Sequence, residues 1–498
     1  MKRRKEYPIF FTFFLLSNVC WGQFAVLNKY FALGEYTILR DIVSHGDSIT
    51  ALAEVFDPLL LNEQNACLIR ADTFGNIAKI VYFYIPNYDS PHLLSRNAKL
   101  TSTSDGGFVF SGQIFFKPYS ITIVKVNHNM EIEFIKELLP EGGTTFPQKV
   151  IETKDAYYIG LWLGYGPQDK DAQYCIVKTD LQGNELWHKF YGTEDNYEFL
   201  FNIKSFKEGE ITMLGNKGLN NKGRMALTTI DTSGAVIKEI YNDGDNEGNI
   251  YDIDMLSNGD YIYICSELKN VTDYRSSLRV YRITSEGEVV WKKVINDDVL
   301  NAFIYRMHRN TNGTYTIIGQ EDGVGRSLCI DKDGDILWQH LYYLPFSPMP
   351  IPYYSSLLGM TALPSGNIIA CGYFRDQSDP TYQEQGWLLK MDTNGCIDKN
   401  CKTLLGGQEV IPIDELQVGV YPNPSDGRIK VNIPYDSYIS ESMIQIYDIV
   451  GNKLISKKLN AGINEVNISN KISSGVLIYN VNVGKGNVLK TGKLIITK

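Results

Sequence analysis

A unit of about fifty-three residues recurs seven times in this chain. The stretch "CIVKTDLQGNELWHKFYG" at 175–192 returns as "VYRITSEGEVVWKKVI" at 280–295 and as "LCIDKDGDILWQHLYY" at 328–343. Fainter copies begin at Leu68, Ile123, Leu227 and Trp387. The turn position falls at Gly75, Met130, Gly183, Gly234, Gly287, Gly334 and Gly395, in steps of 55, 53, 51, 53, 47 and 61 residues. Such a period means copies of one supersecondary unit, each burying its apolar face against the next. A second turn sits upstream of each copy, clearest in "SDGGFVFSG" from Ser104, "SNGDYIYIC" from Ser257, "TNGTYTIIG" from Thr311 and "PSGNIIACG" from Pro364. Asp-Gly and Asn-Gly turn tightly because positive φ costs little there, and the alternating residues on either side suit strands with one buried face. Each unit therefore supplies four antiparallel strands. The expectation is an all-β chain with a seven-bladed β-propeller over residues 23–402.

The ends of the array decide between a ring and a line. The seventh copy stops at Gly395 without a fourth strand, while "FAVLNKYFALG", Phe24 to Gly34, precedes the first copy and looks like one. The N-terminal segment is expected to complete the last blade, which removes two sheet edges open to aggregation. An open solenoid would leave that blade unfinished. Trp187, Trp291 and Trp338 recur at one place in the fourth strand. They are similar to part of the docking motif of quinone-dependent dehydrogenase propellers. Only three of the seven copies carry the Trp, and the motif's preceding Ala is absent, so they are read as packing between blades. The paired turns as a whole resemble repeats of exported propeller proteins of the Bacteroidetes over residues 36–395. That resemblance implies a fold and says almost nothing about activity.

The first residues, "MKRRKEYPIFFTFFLLSNVCWGQ", place four basic residues before an apolar run from Ile9 to Leu16 and small residues before Gln23. This is the pattern of a secretory signal peptide over 1–22, and the run is well short of the roughly 20 residues that span a bilayer. No later segment is apolar enough to span, so no transmembrane segment is expected in the mature chain. The net charge of -9 gives nucleic acid nothing to bind, since phosphate recognition needs a basic surface. Charge is also unevenly placed. Residues 417–498 carry ten Lys or Arg against five Asp or Glu, which sets this segment apart from an acidic remainder. Cys67, Cys175, Cys265, Cys329 and Cys371 lie in apolar strand-like runs and read as small buried hydrophobes. Cys396 and Cys401 lie in the polar loop "GCIDKNC", where a local disulfide is expected in an oxidising compartment.

Beyond a Gly- and Pro-containing linker at 403–416, residues 417–498 open with "VGVYPNPSDGRIKVNI" and continue through "IYDIVGNKL", "SSGVLIYNVNV" and "KTGKLIITK". Roughly seven short antiparallel strands in such a length suggest a small Ig-like β-sandwich. The four segments in this order resemble the type A C-terminal sorting domain of the type IX secretion system. The residues carrying the resemblance are Tyr421, Pro422, Asn423, Pro424, Gly427, Tyr447, Asp448, Gly451, Gly475, Tyr479 and Lys493. It implies recognition by the outer-membrane translocon, removal of the domain by a sortase, attachment of the cargo to surface lipopolysaccharide, and a location at the cell surface or outside the cell.

Chemistry leaves few marks. The chain has no nucleophile elbow, zinc-protease helix or phosphate loop, and its six histidines are scattered. No catalytic residue, metal ligand or cofactor is assigned. Calcium is raised only by "DKDGD", Asp331 to Asp335, whose glycine is misplaced for a calcium loop and which aligns with the repeat turn. The function expected is a non-catalytic binding module for a glycan or a protein. The alternative is a lyase or glycosidase with carboxylates gathered on one propeller face. A candidate ligand loop is "YYLPFSPMPIPYYSS", 342–356, where four prolines stiffen the chain and Phe346, Tyr353 and Tyr354 either project toward a ligand or fold back onto the neighbouring blade as a satellite cluster.

Overall fold

The computed structural model describes residues 28–33, 36–56, 64–83, 92–93, 98–114, 120–138, 144–164, 173–192, 198–219, 222–241, 248–270, 275–300, 302–342, 353–376, 384–397, 419–433, 442–460, 462–468, 474–483 and 487–497. The expected signal peptide, the linker, Phe346 and Cys401 lie outside them.

Strands follow the repeat. Blade 1 is built from Tyr36–His45, Ser48–Phe56, Gln64–Asp72 and Ile77–Tyr82, taken from the innermost strand outward. Blade 3 runs from Thr144–Glu152 to Glu185–Tyr191, blade 4 from Phe199–Lys204 to Val236–Tyr241, blade 5 from Gly248–Met255 to Val289–Leu300 and blade 6 from Phe303–Arg309 to Ile336–Leu341. Blade 2 departs from the pattern, because its inner strand is only Thr101–Ser102. The short piece His92–Leu93 pairs with both Gln64–Asp72 and Phe108–Ile114 and joins blades 1 and 2 in one sheet. Nothing in the repeat signalled this link.

The turns explain why the pattern recurs. In blade 3 the Asp180 carboxylate accepts from the backbone N–H of Gln182 (2.9 Å) and Asn184 (2.8 Å). Asp72, Asp231, Asp331 and Asp392 do the same in their blades. The side chain thereby satisfies two donors that the hairpin leaves unpaired. Asp331 of "DKDGD" is thus one of these turn acids. The turn glycine serves a second purpose. A Cβ on Gly334 would lie 2.7 Å from the Trp291 ring of the preceding blade, and one on Gly395 would lie 2.5 Å from Trp338. The recurrent tryptophans pack between blades against the next turn.

Blade 7 closes the ring. Its strands Tyr353–Ala362, Ile368–Asp376 and Glu384–Met391 are completed by Asn28–Phe31, with Asn28 opposite Leu389. Trp387 Nε1 donates to Asn28 Oδ1 at 2.8 Å. Lys29 Nζ reaches the blade 1 turn at Asn76 Oδ1, 2.8 Å away, as Lys189 reaches Ser233 O (2.7 Å) and Lys293 reaches Asp335 Oδ1 (2.6 Å) in later blades. The N-terminal strand therefore behaves as an ordinary fourth strand. The inner strands of blades 1 and 7 also meet, with Ser44 Oγ donating to Ala362 O at 2.8 Å.

The core lies between blades. Seven apolar clusters each combine residues of two neighbouring blades, the seventh joining Leu39 and Ile42 to Ile369 and Leu388 across the closing seam. Cys67, Cys175, Cys265, Cys329 and Cys371 are free thiols buried in these clusters. The C-terminal unit is a separate sandwich of a three-stranded and a four-stranded sheet, with Ile429, Val431, Ile444, Ile446, Val481 and Leu494 in its core.

Candidate functional site

Six innermost strands carry a register shift at the same depth, and the first paired residue after it is Asp41, Lys149, Asn202, Asp252, Arg306 or Gly359. Lys99 holds the corresponding place in blade 2. In blades 2, 4, 5, 6 and 7 this residue stands seven positions before the positive-φ glycine of the first hairpin, as in Asp252 and Gly259 or Arg306 and Gly313. A bulge re-aims the side chain that follows it, here toward the propeller axis. Groups from blades that are not neighbours meet there. Arg306 of blade 6 lies 3.5 Å from Asp41 of blade 1, spanning the position of Gly359 in blade 7. A Cβ on Gly359 would be 2.6 Å from Asp41 Cα, so only glycine leaves room for that crossing.

The axial carboxylates are fully engaged. Asp252 accepts from Ile253 N and Met307 N, each at 3.0 Å, and pairs with Lys204 Nζ at 2.7 Å. Burial opposes its charge, but Lys204, Lys99 and Arg306 together hold it well below the usual carboxylate range. Asp41 accepts from Leu100 N at 3.0 Å and faces Arg306. One layer further along, Asp254 pairs with Arg309 Nε at 2.6 Å and accepts from Tyr315 Oη at 3.1 Å.

The axial amines differ. Lys99 is 4% exposed, and burial followed by Arg306 pushes its ammonium well below the lysine range. Lys149 is pushed down to about 8, first by burial and then by Lys204. Among the described residues neither has a hydrogen-bond or ion-pair partner. His308 is lowered by burial and by Lys204. A separate surface hollow of about 660 Å³ lies over blades 4 and 5 and reaches blade 6 at Arg309, its lining including Lys207, Glu210, Lys238, Met255 and Tyr261. Its cations already face carboxylates, Lys238 pairing with Glu286 at 3.4 Å and Arg309 with Asp254 at 2.6 Å. The axis, with its unmatched amines, is the stronger candidate.

Of the candidate aromatic loop, Tyr353 and Tyr354 open the inner strand Tyr353–Ala362 of blade 7. Tyr354 is half-buried, its hydroxyl accepts from Gln320 Nε2 at 2.6 Å, and its ring stacks on Tyr373 with centroids 6.1 Å apart. The prolines before it drew the reading toward a loop, whereas strand pairing with Arg375 and Asp376 decides the outcome. Tyr342 is buried and donates to Gly395 O at 2.8 Å.

In the C-terminal sandwich the opening motif grips the closing one. Asn423 Oδ1 accepts from Ile495 N at 2.8 Å, and its Nδ2 donates to Lys493 O at 2.8 Å. Ser425 N donates to Ile495 O and Thr497 N to Ser425 O, each at 2.9 Å. The chain thus returns at its end to the segment where the domain began. Residues 419–497 match the secretion system C-terminal sorting domain.

Within the sorting domain, Tyr421, Pro422 and Pro424 are exposed beside the Asn423 clamp, and Lys493 supplies a carbonyl to it. Gly427 turns with φ 101° while its carbonyl accepts from Ile468 N at 2.7 Å. Tyr447 Oη donates to Gln445 Oε1 at 2.8 Å, Asp448 caps the turn that contains Gly451, Gly475 opens the strand Gly475–Val483, and Tyr479 is buried against Gly492. Sequence reasoning missed Ser425, and it missed the exposed apolar tip Ile449 and Val450, 73% and 77% exposed. A sorting domain implies export to the cell surface or the extracellular space. No curated protein matches the chain in sequence. Among solved structures, a puromycin hydrolase is similar at 11% identity and TM-score 0.47, over 82% of this chain and 58% of its own. The chain therefore spans less than two thirds of that enzyme. The β-propeller domain of the Trilobed protease from Pyrococcus furiosus is similar at 10% identity and TM-score 0.41, over 77% of this chain and 99% of that domain. An α-L-arabinofuranosidase of Fusarium graminearum is similar at 12% identity and TM-score 0.43, over 60% of this chain and 93% of its own. None of the three bears on what this chain binds or does.

Proposed function

We propose that this chain is an exported β-propeller binding protein, delivered through the type IX secretion system by its C-terminal domain and carrying no catalytic centre on its axis. The observation behind the export reading is the match over 419–497, together with the clamp of Asn423 on Lys493 and Ile495 that makes the two ends of the signal one unit. Removal of the domain by a sortase and attachment of the propeller to lipopolysaccharide follow from the same resemblance. The non-catalytic reading is supported by the state of the axial acids. A glycosidase needs one carboxylic acid free to donate a proton and a second free carboxylate. Asp41, Asp252 and Asp254 each hold backbone or cationic partners instead.

Export is tested by ending the chain at Glu415 in the native host and fractionating the cells. The truncated propeller should fold and accumulate in the periplasm. Normal surface delivery of the truncated chain would overturn the sorting assignment.

A further inference from the structure

We propose that the axial cluster of Lys99, Lys149, Lys204 and Arg306 is a binding site for a small oxyanion: a phosphate, sulfate or carboxylate group. The inference rests on the reading of the propeller as a binding module and gives that module a ligand class. Four cations converge here from blades 2, 3, 4 and 6, and the acids among them are Asp41 and Asp252. Asp252 is matched by Lys204 at 2.7 Å and Asp41 by Arg306 at 3.5 Å. Lys99 and Lys149 are left over. Convergence is seen in the contacts: Leu100 N beside Lys99 in blade 2 and Arg306 of blade 6 both reach Asp41 of blade 1, at 3.0 and 3.5 Å, while Lys204 of blade 4 and Met307 N of blade 6 both reach Asp252 of blade 5, at 2.7 and 3.0 Å. Lys99 of blade 2 feels Arg306 of blade 6, Asp252 of blade 5, Lys149 of blade 3 and Asp41 of blade 1. Blades so far apart around a ring can meet only on its axis.

An ammonium removed from water with no counter-ion is strongly disfavoured, and proteins ordinarily pair it or replace it. Here Lys99, 4% exposed, and the half-buried Lys149 bring two amines from adjoining blades to the axis with no ion pair of their own among the described residues, Asp252 and Asp41 being held by Lys204 and Arg306, although the net charge is -9 and acids are abundant elsewhere. The local field is therefore positive against an acidic background. Each lysine offers three donors and no acceptor, so what completes the cluster must accept hydrogen bonds and carry negative charge. A metal ion is repelled by the same field. The Gly359 position adds to the picture, since its missing Cβ lets Arg306 lie against Asp41 and so occupy that carboxylate. The oxyanion could be free in solution or carried on an acidic sugar, and the two sources share this chemistry.

The test uses the full chain with sodium phosphate, sodium sulfate and sodium glucuronate, each compared with sodium chloride at equal ionic strength, by calorimetry and thermal unfolding. At least one oxyanion should bind and raise the unfolding midpoint where chloride does not. Tighter binding of glucuronate assigns a sugar acid, and tighter binding of phosphate or sulfate assigns the free ion. Lys99→Met and Lys149→Met should each weaken that binding by about tenfold or more while folding at least as well as wild type in chloride. Lys238→Met, on the outer strand of blade 4, should leave it unchanged. Absence of binding by all three anions at about 10 mM would overturn the proposal, as would wild-type affinity in the two axial variants. Neither result touches the export reading, which is decided by where the truncated chain is found.

Discussion

Lys149 is the residue whose titration should be visible in stability. Its folded value of about 8 lies below the ordinary lysine value of 10.5, first because it is buried and then because Lys204 is near. Between those two values the unfolded chain binds more protons than the folded one, so the site's contribution to stability rises with pH across that window and is flat below it. Lys149→Met should therefore stabilise the protein at pH 7 by up to about 3 kcal/mol, less wherever solvent screens the charge, and by little at pH 10.5. Chemical unfolding at the two pH values, in chloride buffer, reads the difference. Asp252 predicts the opposite. Replacing it by Ala strips the acceptor from Met307 N, Ile253 N and Lys204 at once, and should cost about 3–5 kcal/mol, measured by the same unfolding curves. The turn acids were legible in the sequence because Asp and Gly three residues apart leave a local mark. The axial residues were not. In six of the blades it is a lone polar residue in a strand, with identity changing from blade to blade, and only a seven-residue distance to the following glycine in blades 2, 4, 5, 6 and 7 betrays the position.

At the scale of elements, the N-terminal strand is the most consequential four residues in the propeller. Asn28–Phe31 supplies the outer edge of blade 7 and, through Lys29, the contact to blade 1. Deleting residues 24–31 leaves Glu384–Met391 as an open edge and should lower the thermal midpoint severely, with aggregation following from the exposed strand. A midpoint equal to wild type would mean that the seam between Leu39 and Ile369 holds the ring alone. Cys396 marks the other end of the same region. It is disulfide-bonded, and peptide mapping without reductant is expected to find it joined to Cys401; free thiols at both positions would refute that pairing. This closure could be foreseen because the strand count came out one short at Gly395 and one long at Phe24. The start of Tyr353–Ala362 could not, since a strand's first residues are fixed by partners such as Arg375 and Asp376 that sequence periodicity does not reveal.

At the scale of the molecule, two units with opposite charge and separate cores carry separate tasks. The sandwich buries its own apolar cluster from Ile429 to Ile496, which is why its strands and its address could be read without reference to the propeller. The proposed oxyanion site was illegible because the axis is assembled by residues drawn from separate blades. Closure also imposes a schedule. Asn28 and Trp387 are 359 residues apart in the chain, yet they share a hydrogen bond in the finished ring. At roughly 5–20 residues per second of synthesis, the first strand waits on the order of 20–70 s for the partner that completes it. Until then blade 7 does not exist, and the opening strand must travel unpaired with the nascent chain.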